Sequence, residues 1–163
     1  MSTHSRRQFI ARSATVAAFP YVLTQRGLAA KKLASERIRV GMVGAAGRAG
    51  SLNSIFARNP NAEVVFIAEI DPRRTAQTLQ RVTEIQGHKP RVTTDFRKLI
   101  EDDSIDALCV GTPDHWHAIP TILGCLAGKD VYVEKPDGHN IVEGQRMVAA
   151  MRKHKRIVQM GSQ

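Results

Sequence analysis

The sequence has no apolar run approaching the roughly 20 residues that a membrane-spanning helix needs. Its longest modestly apolar stretch, residues 14–23, is broken by Pro20 and excludes a stable membrane span. Cysteine is scarce: Cys109 and Cys125 are the only two, and each sits in an apolar segment as a small buried hydrophobe would. Aromatic residues make up 5% of the 163 residues and form no stacking motif, so the formal charge of +9 is weak support for nucleic-acid binding. Acidic residues are missing altogether from positions 1–30, which hold Arg6, Arg7, Arg12 and Arg26. Without that segment 20 basic residues face 15 acidic ones, a net +5. Much of the excess is Arg152, Lys153, Lys155 and Arg156, late on an expected helix, where cations complement the carbonyl end of the dipole. Low-complexity tracts and internal repeats are also absent. With 42% hydrophobic and 24% charged residues, the chain can build one domain with a real core and is too short for two.

What is present at the start is Ser5-Arg6-Arg7-Gln8-Phe9-Ile10, followed by the short apolar run and by small residues at Gly27, Ala29 and Ala30. Charged, apolar and small segments in that order read as a twin-arginine export signal over residues 1–30. The expectation is a short linker over 31–36, a folded domain over 37–163, passage through the twin-arginine translocase and a periplasmic mature protein. That route carries proteins already folded, so a Cys109–Cys125 disulfide would have to form in a reducing compartment and has no support.

From Arg37 onward strand and helix patterns alternate. Apolar, β-branched runs predict strands at 38–43, 63–70, 91–93, 106–110, 130–133 and 156–160. Helical patterns fall at 51–58, 75–85, 96–100, 117–126 and 141–153, with Asp71-Pro72 as a helix start and Asp95 as a cap. Strands separated by helices predict an α/β fold with a doubly wound parallel sheet, and six strands make a whole dinucleotide-binding domain.

The residues that carry chemistry follow the strands. Gly44-Ala45-Ala46-Gly47-Arg48-Ala49-Gly50 lies between a strand and a helix, where backbone N–H groups and the helix dipole can hold a pyrophosphate. The spacing departs from G-x-G-x-x-G, with Ala46 and Ala49 in the second and third glycine places. Alanine is tolerable at the third place, whereas a methyl at the second crowds the phosphate. Glu69, about 20 residues on, is placed to bind adenosine ribose hydroxyls and to repel a 2′-phosphate, favouring NAD. Asp71 is a second acid for that role, and Arg73 and Arg74 keep NADP open. Thr112 and Pro113 are suited to line the nicotinamide side of the cleft. His115 and His117 form an H-x-H pair without further Cys or acid ligands at zinc spacing, so no metal site is expected. For His117 a helix-start role and a cleft role stand equal. Glu134-Lys135-Pro136 follows a strand directly, and the proline fixes the backbone on which the lysine sits.

Taken together, the Gly44 turn, Thr112-Pro113-Asp114-His115-Trp116-His117-Ala118 and Gly128-Lys129-Asp130-Val131-Tyr132-Val133-Glu134-Lys135-Pro136 resemble the Gfo/Idh/MocA family of NAD(P)-dependent oxidoreductases over residues 37–163. The resemblance implies a Rossmann-like fold, a sugar, polyol or related hydroxyl substrate, and a catalytic or substrate-binding role for Lys135. It also implies a cis peptide before Pro136. Family members run to about twice this length and carry a C-terminal substrate domain that supplies a further acid/base and commonly the subunit contacts; on that comparison the substrate domain is absent here, and an oligomer belongs to the longer form. The implied chemistry is hydride transfer between substrate carbon and nicotinamide, with Lys135 moving the hydroxyl proton and Glu134 orienting the ammonium or tying the strand end. A lysine partly withdrawn from water releases its proton more readily, as such transfer needs. Two other readings stay open: a glycoside hydrolase of the same family that uses NAD transiently, and a non-catalytic NAD-binding module.

Overall fold

A computed structural model describes residues 37–162. The export signal and linker expected over residues 1–36 lie outside the described residues. Strand β1 (Ile38–Val43) leads into helix α1 (Gly47–Arg58), followed by β2 (Ala62–Ala68), α2 (Pro72–Gln86), β3 (Arg91–Thr93) and the short α3 (Arg97–Ile100). Then come β4 (Ala107–Val110), a 3-10 turn (Asp114–Trp116), α4 (Ala118–Leu126), β5 (Asp130–Val133), α5 (Ile141–His154) and β6 (Val158–Met160). All six strands pair in parallel, in the order β3-β2-β1-β4-β5-β6. The expected doubly wound sheet is therefore present. Strand order reverses between β1 and β4, and open sheets of this kind bind ligands beyond the strand C-termini at such a switch point.

The inner strands β1, β2 and β4 are buried on both faces because helices cover both. Val40, Met42, Val64, Ile67 and Cys109 pack with Leu52 and Ala57 of α1 and Val82 of α2. Val43, Phe66, Leu108, Val110, Val131 and Val133 pack on the other face with Leu99 of α3, Ala118 and Cys125 of α4, and Met147 and Ala150 of α5. Both cysteines are buried free thiols, and burial pushes the Cys109 thiol well up. Among the described residues, no helix is long and apolar enough to cross a membrane.

Several boundaries differ from expectation. Helix α1 begins four residues earlier than expected, inside the glycine turn, whose Gly and Ala residues carry no amphipathic signal. Strand β2 stops at Ala68 rather than at residue 70, leaving the apolar Ile70 81% exposed. The chain turns there because Asp71 caps α2 with its carboxylate on the Arg73 N–H, 2.9 Å, beside Pro72 at the first helical position. Helix α5 ends at His154, with Lys155 left-handed at φ 53°. Arg156, expected in the strand, instead donates to the carbonyls of Gly128 and His154.

The rim at the strand N-termini is tied by a polar cluster. The Asp102 carboxylate accepts from the Ser104 hydroxyl and N–H and pairs with Arg91, whose guanidinium lies over the Phe66 ring. The buried Lys129 ammonium donates to the carbonyls of Asp102 (2.7 Å) and Ile105 (3.0 Å), and burial lowers its pKa.

Candidate active site

At the C-terminal end of β1, Gly44 adopts φ +103° and Gly47 φ +53°, conformations that side chains disfavour. Gly47 also opens onto empty space where a Cβ would stand. Ala46 is the N-cap residue of α1 in ordinary extended backbone, φ −112° and ψ 164°, so its conformation does not require glycine. Ala49, in the third place, is 1% exposed and packs where α1 crosses the strand ends. A Cβ on Gly111, just beyond β4, would lie 2.8 Å from the Ala49 Cβ. Gly50 donates to Ala46 O at 3.2 Å as the first intrahelical bond, and helix geometry leaves the N–H groups before it to find other acceptors. Two side chains from within the helices hold the turn. Asn53 donates to Gly44 O and Ala49 O, at 3.1 and 2.8 Å, and Thr78 donates to Ala45 O at 2.7 Å.

Glu69 stands one residue past β2. Its Oε2 accepts the Ala45 N–H at 2.9 Å and its Oε1 accepts the Asp71 N–H at 3.0 Å. Each carboxylate oxygen keeps a second lone pair for a hydroxyl donor. Asp71 serves as the α2 cap, and Arg73 and Arg74 pair with it at 3.5 and 3.4 Å. The Arg73 N–H, then its side chain, holds the Asp71 carboxyl below its usual range.

Beyond β4 and β5 the remaining motif residues meet. A cleft of about 250 Å³ is lined by Arg48, Gly111, Thr112, Asp114, His117, Glu134, Lys135 and Pro136. Glu134 is 3% exposed. Its Oε1 accepts from Arg48 Nε at 2.8 Å and from the Tyr132 hydroxyl at 3.2 Å, while Oε2 accepts the Lys135 N–H at 3.2 Å. Burial alone would raise its pKa; the bonds from Arg48, the Lys135 N–H and Tyr132 outweigh it and hold the carboxyl below its usual range. Burial, and then the Glu134 charge, raises the Tyr132 hydroxyl. Glu134 thus links the cofactor turn to the lysine's own peptide group.

Lys135 itself is exposed, so the partial withdrawal from water expected of it is not supplied by the described residues. The Lys135–Pro136 peptide is cis. His117 joins the helix-start and cleft roles: it is 2% exposed, begins α4 and lines the cleft. Its Nδ1 lies 2.5 Å from Pro136 O and its Nε2 lies 2.6 Å from Thr112 O. Pro113 leads into the 3-10 turn and is exposed. Among the described residues, no group of three His, Cys, Asp or Glu side chains gathers to hold a metal.

The arrangement fits a dinucleotide. The glycine turn leaves room and helix N–H groups for a pyrophosphate, and the Thr112 hydroxyl is buried in the cleft wall without a partner among the described residues. A larger depression of about 370 Å³ lies at the opposite rim, lined by Asp103, Lys129 and Asp130 among others, and contains none of the expected cofactor or catalytic residues. Gly111, Asn53, Thr78 and Tyr132 belong to the site's support and were not expected. For Gly111, a glycine directly after a strand was a usable signal; the other three act only through tertiary contacts.

The inositol 2-dehydrogenase of Rubrobacter xylanophilus is 33% identical to this chain over 130 residues, 78% of this chain and 35% of that protein. A glycosyl hydrolase family 109 protein of Saccharopolyspora erythraea is 27% identical over 127 residues, 76% of this chain and 28% of that protein. The chain thus spans about a third of the length of these curated relatives. In fold it resembles the crystal structure of GenD2 from gentamicin A biosynthesis in complex with NAD, with TM-score 0.70 and 24% identity over 77% of this chain and 34% of that one. The model of the Gfo/Idh/MocA oxidoreductase family, NAD-binding Rossmann fold, matches residues 38–162, and the chain belongs to that family through this NAD-binding domain.

Proposed function

We propose that this chain is the nucleotide-binding part of an NAD-dependent oxidoreductase acting on a hydroxyl of a sugar or polyol. The observation that carries the reading is the convergence of the glycine turn, Glu69, Thr112 and Lys135 on one rim, beside the strand-order reversal. The bound nicotinamide would supply the hydride acceptor or donor. The turn residues Gly44 to Ala49 would hold the pyrophosphate and Glu69 the ribose hydroxyls. Thr112 and Pro113 would flank the nicotinamide side. Glu134, locked by Arg48 and Tyr132, fixes the Lys135 N–H and so the start of the lysine side chain. Lys135 would bond the reacting hydroxyl and carry its proton as the carbon is oxidised. In the complete protein, Lys135→Ala should lower kcat by roughly 10²–10⁴ while leaving NAD affinity nearly unchanged. Near wild-type turnover in that variant would remove Lys135 from the mechanism.

The glycosyl hydrolase relative supports a second reading, in which the same rim uses NAD transiently during glycoside cleavage. Sugar release without net nicotinamide reduction would select it. We further propose that residues 1–30 direct twin-arginine export to the periplasm, on the strength of the Arg6-Arg7 pair and the apolar and small segments after it. Replacing both arginines by lysine should leave the protein in the cytoplasm, and unaltered periplasmic recovery would refute the signal.

A further inference from the structure

His117 is held in the cleft wall by both its backbone and its ring. Its backbone N–H donates to Asp114 O at 3.0 Å, and its carbonyl accepts from the Thr121 hydroxyl at 2.8 Å. The ring is therefore placed from both sides of the 3-10 turn and α4 junction, and it is almost wholly out of water. Both ring nitrogens face backbone carbonyls, Pro136 O at 2.5 Å and Thr112 O at 2.6 Å. A carbonyl oxygen only accepts, and a neutral imidazole has a single N–H to give. In either neutral tautomer one bare nitrogen would face a carbonyl lone pair at hydrogen-bond distance. The doubly protonated ring satisfies both carbonyls. The other charged groups lining the cleft are Asp114 on the ring's own turn, Glu134 and Lys135 at the end of β5, and Arg48 at the start of α1. Two acids and two bases balance there. Asp137 and His139 follow on the connection into α5 and Glu143 lies in its first turn; His139 lies 3.4 Å from the Asp114 carboxylate.

We propose that His117 is a positioning residue that works as an imidazolium, donating from both ring nitrogens to clasp the residue after Lys135 to the Thr112 rim. His117 itself is 19 residues from Pro136 along the chain and 5 from Thr112. It holds the turn that carries Lys135 against the strand end expected to flank the nicotinamide. That consequence for catalysis rests on the role proposed above for Lys135, whereas the proton count on the ring does not.

The test is a long-range ¹H–¹⁵N correlation spectrum of the histidine rings in the full chain, at about pH 7.5, one unit above the ordinary imidazole value. His117 is assigned by the signals lost in H117Q. The expected result is two ring N–H protons on His117, both slow to exchange with water. One protonated and one bare nitrogen would overturn the proposal, whatever Lys135 does. Backbone amide shifts supply the second arm. H117L should move signals at residues 112–113 and 135–138, and H117Q, which keeps a donor, should move them less. Equal changes in both variants, or changes spread through the sheet, would reduce His117 to a packing residue. If H117L does not fold, the ring spectrum of the unaltered chain still decides. A two-proton ring in a protein whose Lys135→Ala variant stays active would remove the catalytic reading and keep the clasp.

Discussion

Glu69 does two jobs with one carboxylate. Both oxygens already accept backbone N–H groups, from Ala45 in the nucleotide turn and from Asp71 at the head of α2. The acid proposed for the ribose therefore also shapes the turn that meets the pyrophosphate. Glu69→Gln keeps the size and replaces one acceptor by a donor, which must face one of those N–H groups. Hydrogen bonds to charged groups contribute about 1.5–3 kcal/mol, so NAD affinity should fall roughly tenfold or more. The preference for NAD over NADP should narrow at the same time, because the negative charge that repels a 2′-phosphate is gone. Competitive titration of both nucleotides checks this, and unchanged affinities would show that Glu69 does not contact the ribose. Glu134 has a parallel double role, receiving Arg48 from the cofactor turn and the Lys135 N–H from its own strand end.

Between elements, one tight tolerance lies where α1 crosses the end of β4. Gly111 has no room for a methyl, which would lie 2.8 Å from the Ala49 Cβ and 3.0 Å from its Cα. Gly111→Ala must push α1 away from the strand ends, at a cost of about 1–3 kcal/mol typical of overpacking. Its melting temperature should drop by several degrees, and Ala49→Gly in the same chain should recover part of the loss. A Gly111→Ala variant as stable as the parent would show that α1 shifts freely. This contact was not legible in the sequence, because it joins residues that only the sheet brings together. What was legible came from runs with their own local signal. Strands β1, β3 and β5 fall within their expected bounds because apolar, β-branched residues are bracketed by breakers. The Asp71-Pro72 start of α2 was read from cap chemistry, and its carboxylate does accept from the Arg73 N–H. The early start of α1 and the exposure of Ile70 were hidden, since glycine turns carry no period and β2 is ended by the turn into the α2 cap. The chemistry at Lys135 was visible as a motif, whereas its support by Arg48 and Tyr132 was not.

Over the whole molecule the two ends of the sheet differ in what they hold. The strand C-termini carry the cleft, and the strand N-termini carry the Asp102, Arg91 and Lys129 cluster. The Asp102 carboxyl is lowered from 3.8 to about 2, first by the Ser104 hydroxyl, then by the Ser104 N–H and Arg91, against the effect of burial. A depressed folded value means that its contribution is complete above pH 3.8 and is lost as pH falls toward about 2. That contribution is on the order of 2 kcal/mol at neutral pH. Acid unfolding of the parent should therefore steepen in this window. Asp102→Asn should be less stable at neutral pH and flatter below pH 3.8, as denaturant melts at stepped pH would measure. Parallel curves for both proteins would remove Asp102 from the acid response. For a saturation mutagenesis library scored once for abundance and once for nucleotide retention, this polarity becomes a map. Substitutions that deplete abundance should cluster at the Asp102 end, and those that lose nucleotide without losing protein should cluster at the Lys135 end, so the two scores divide the molecule across its strands.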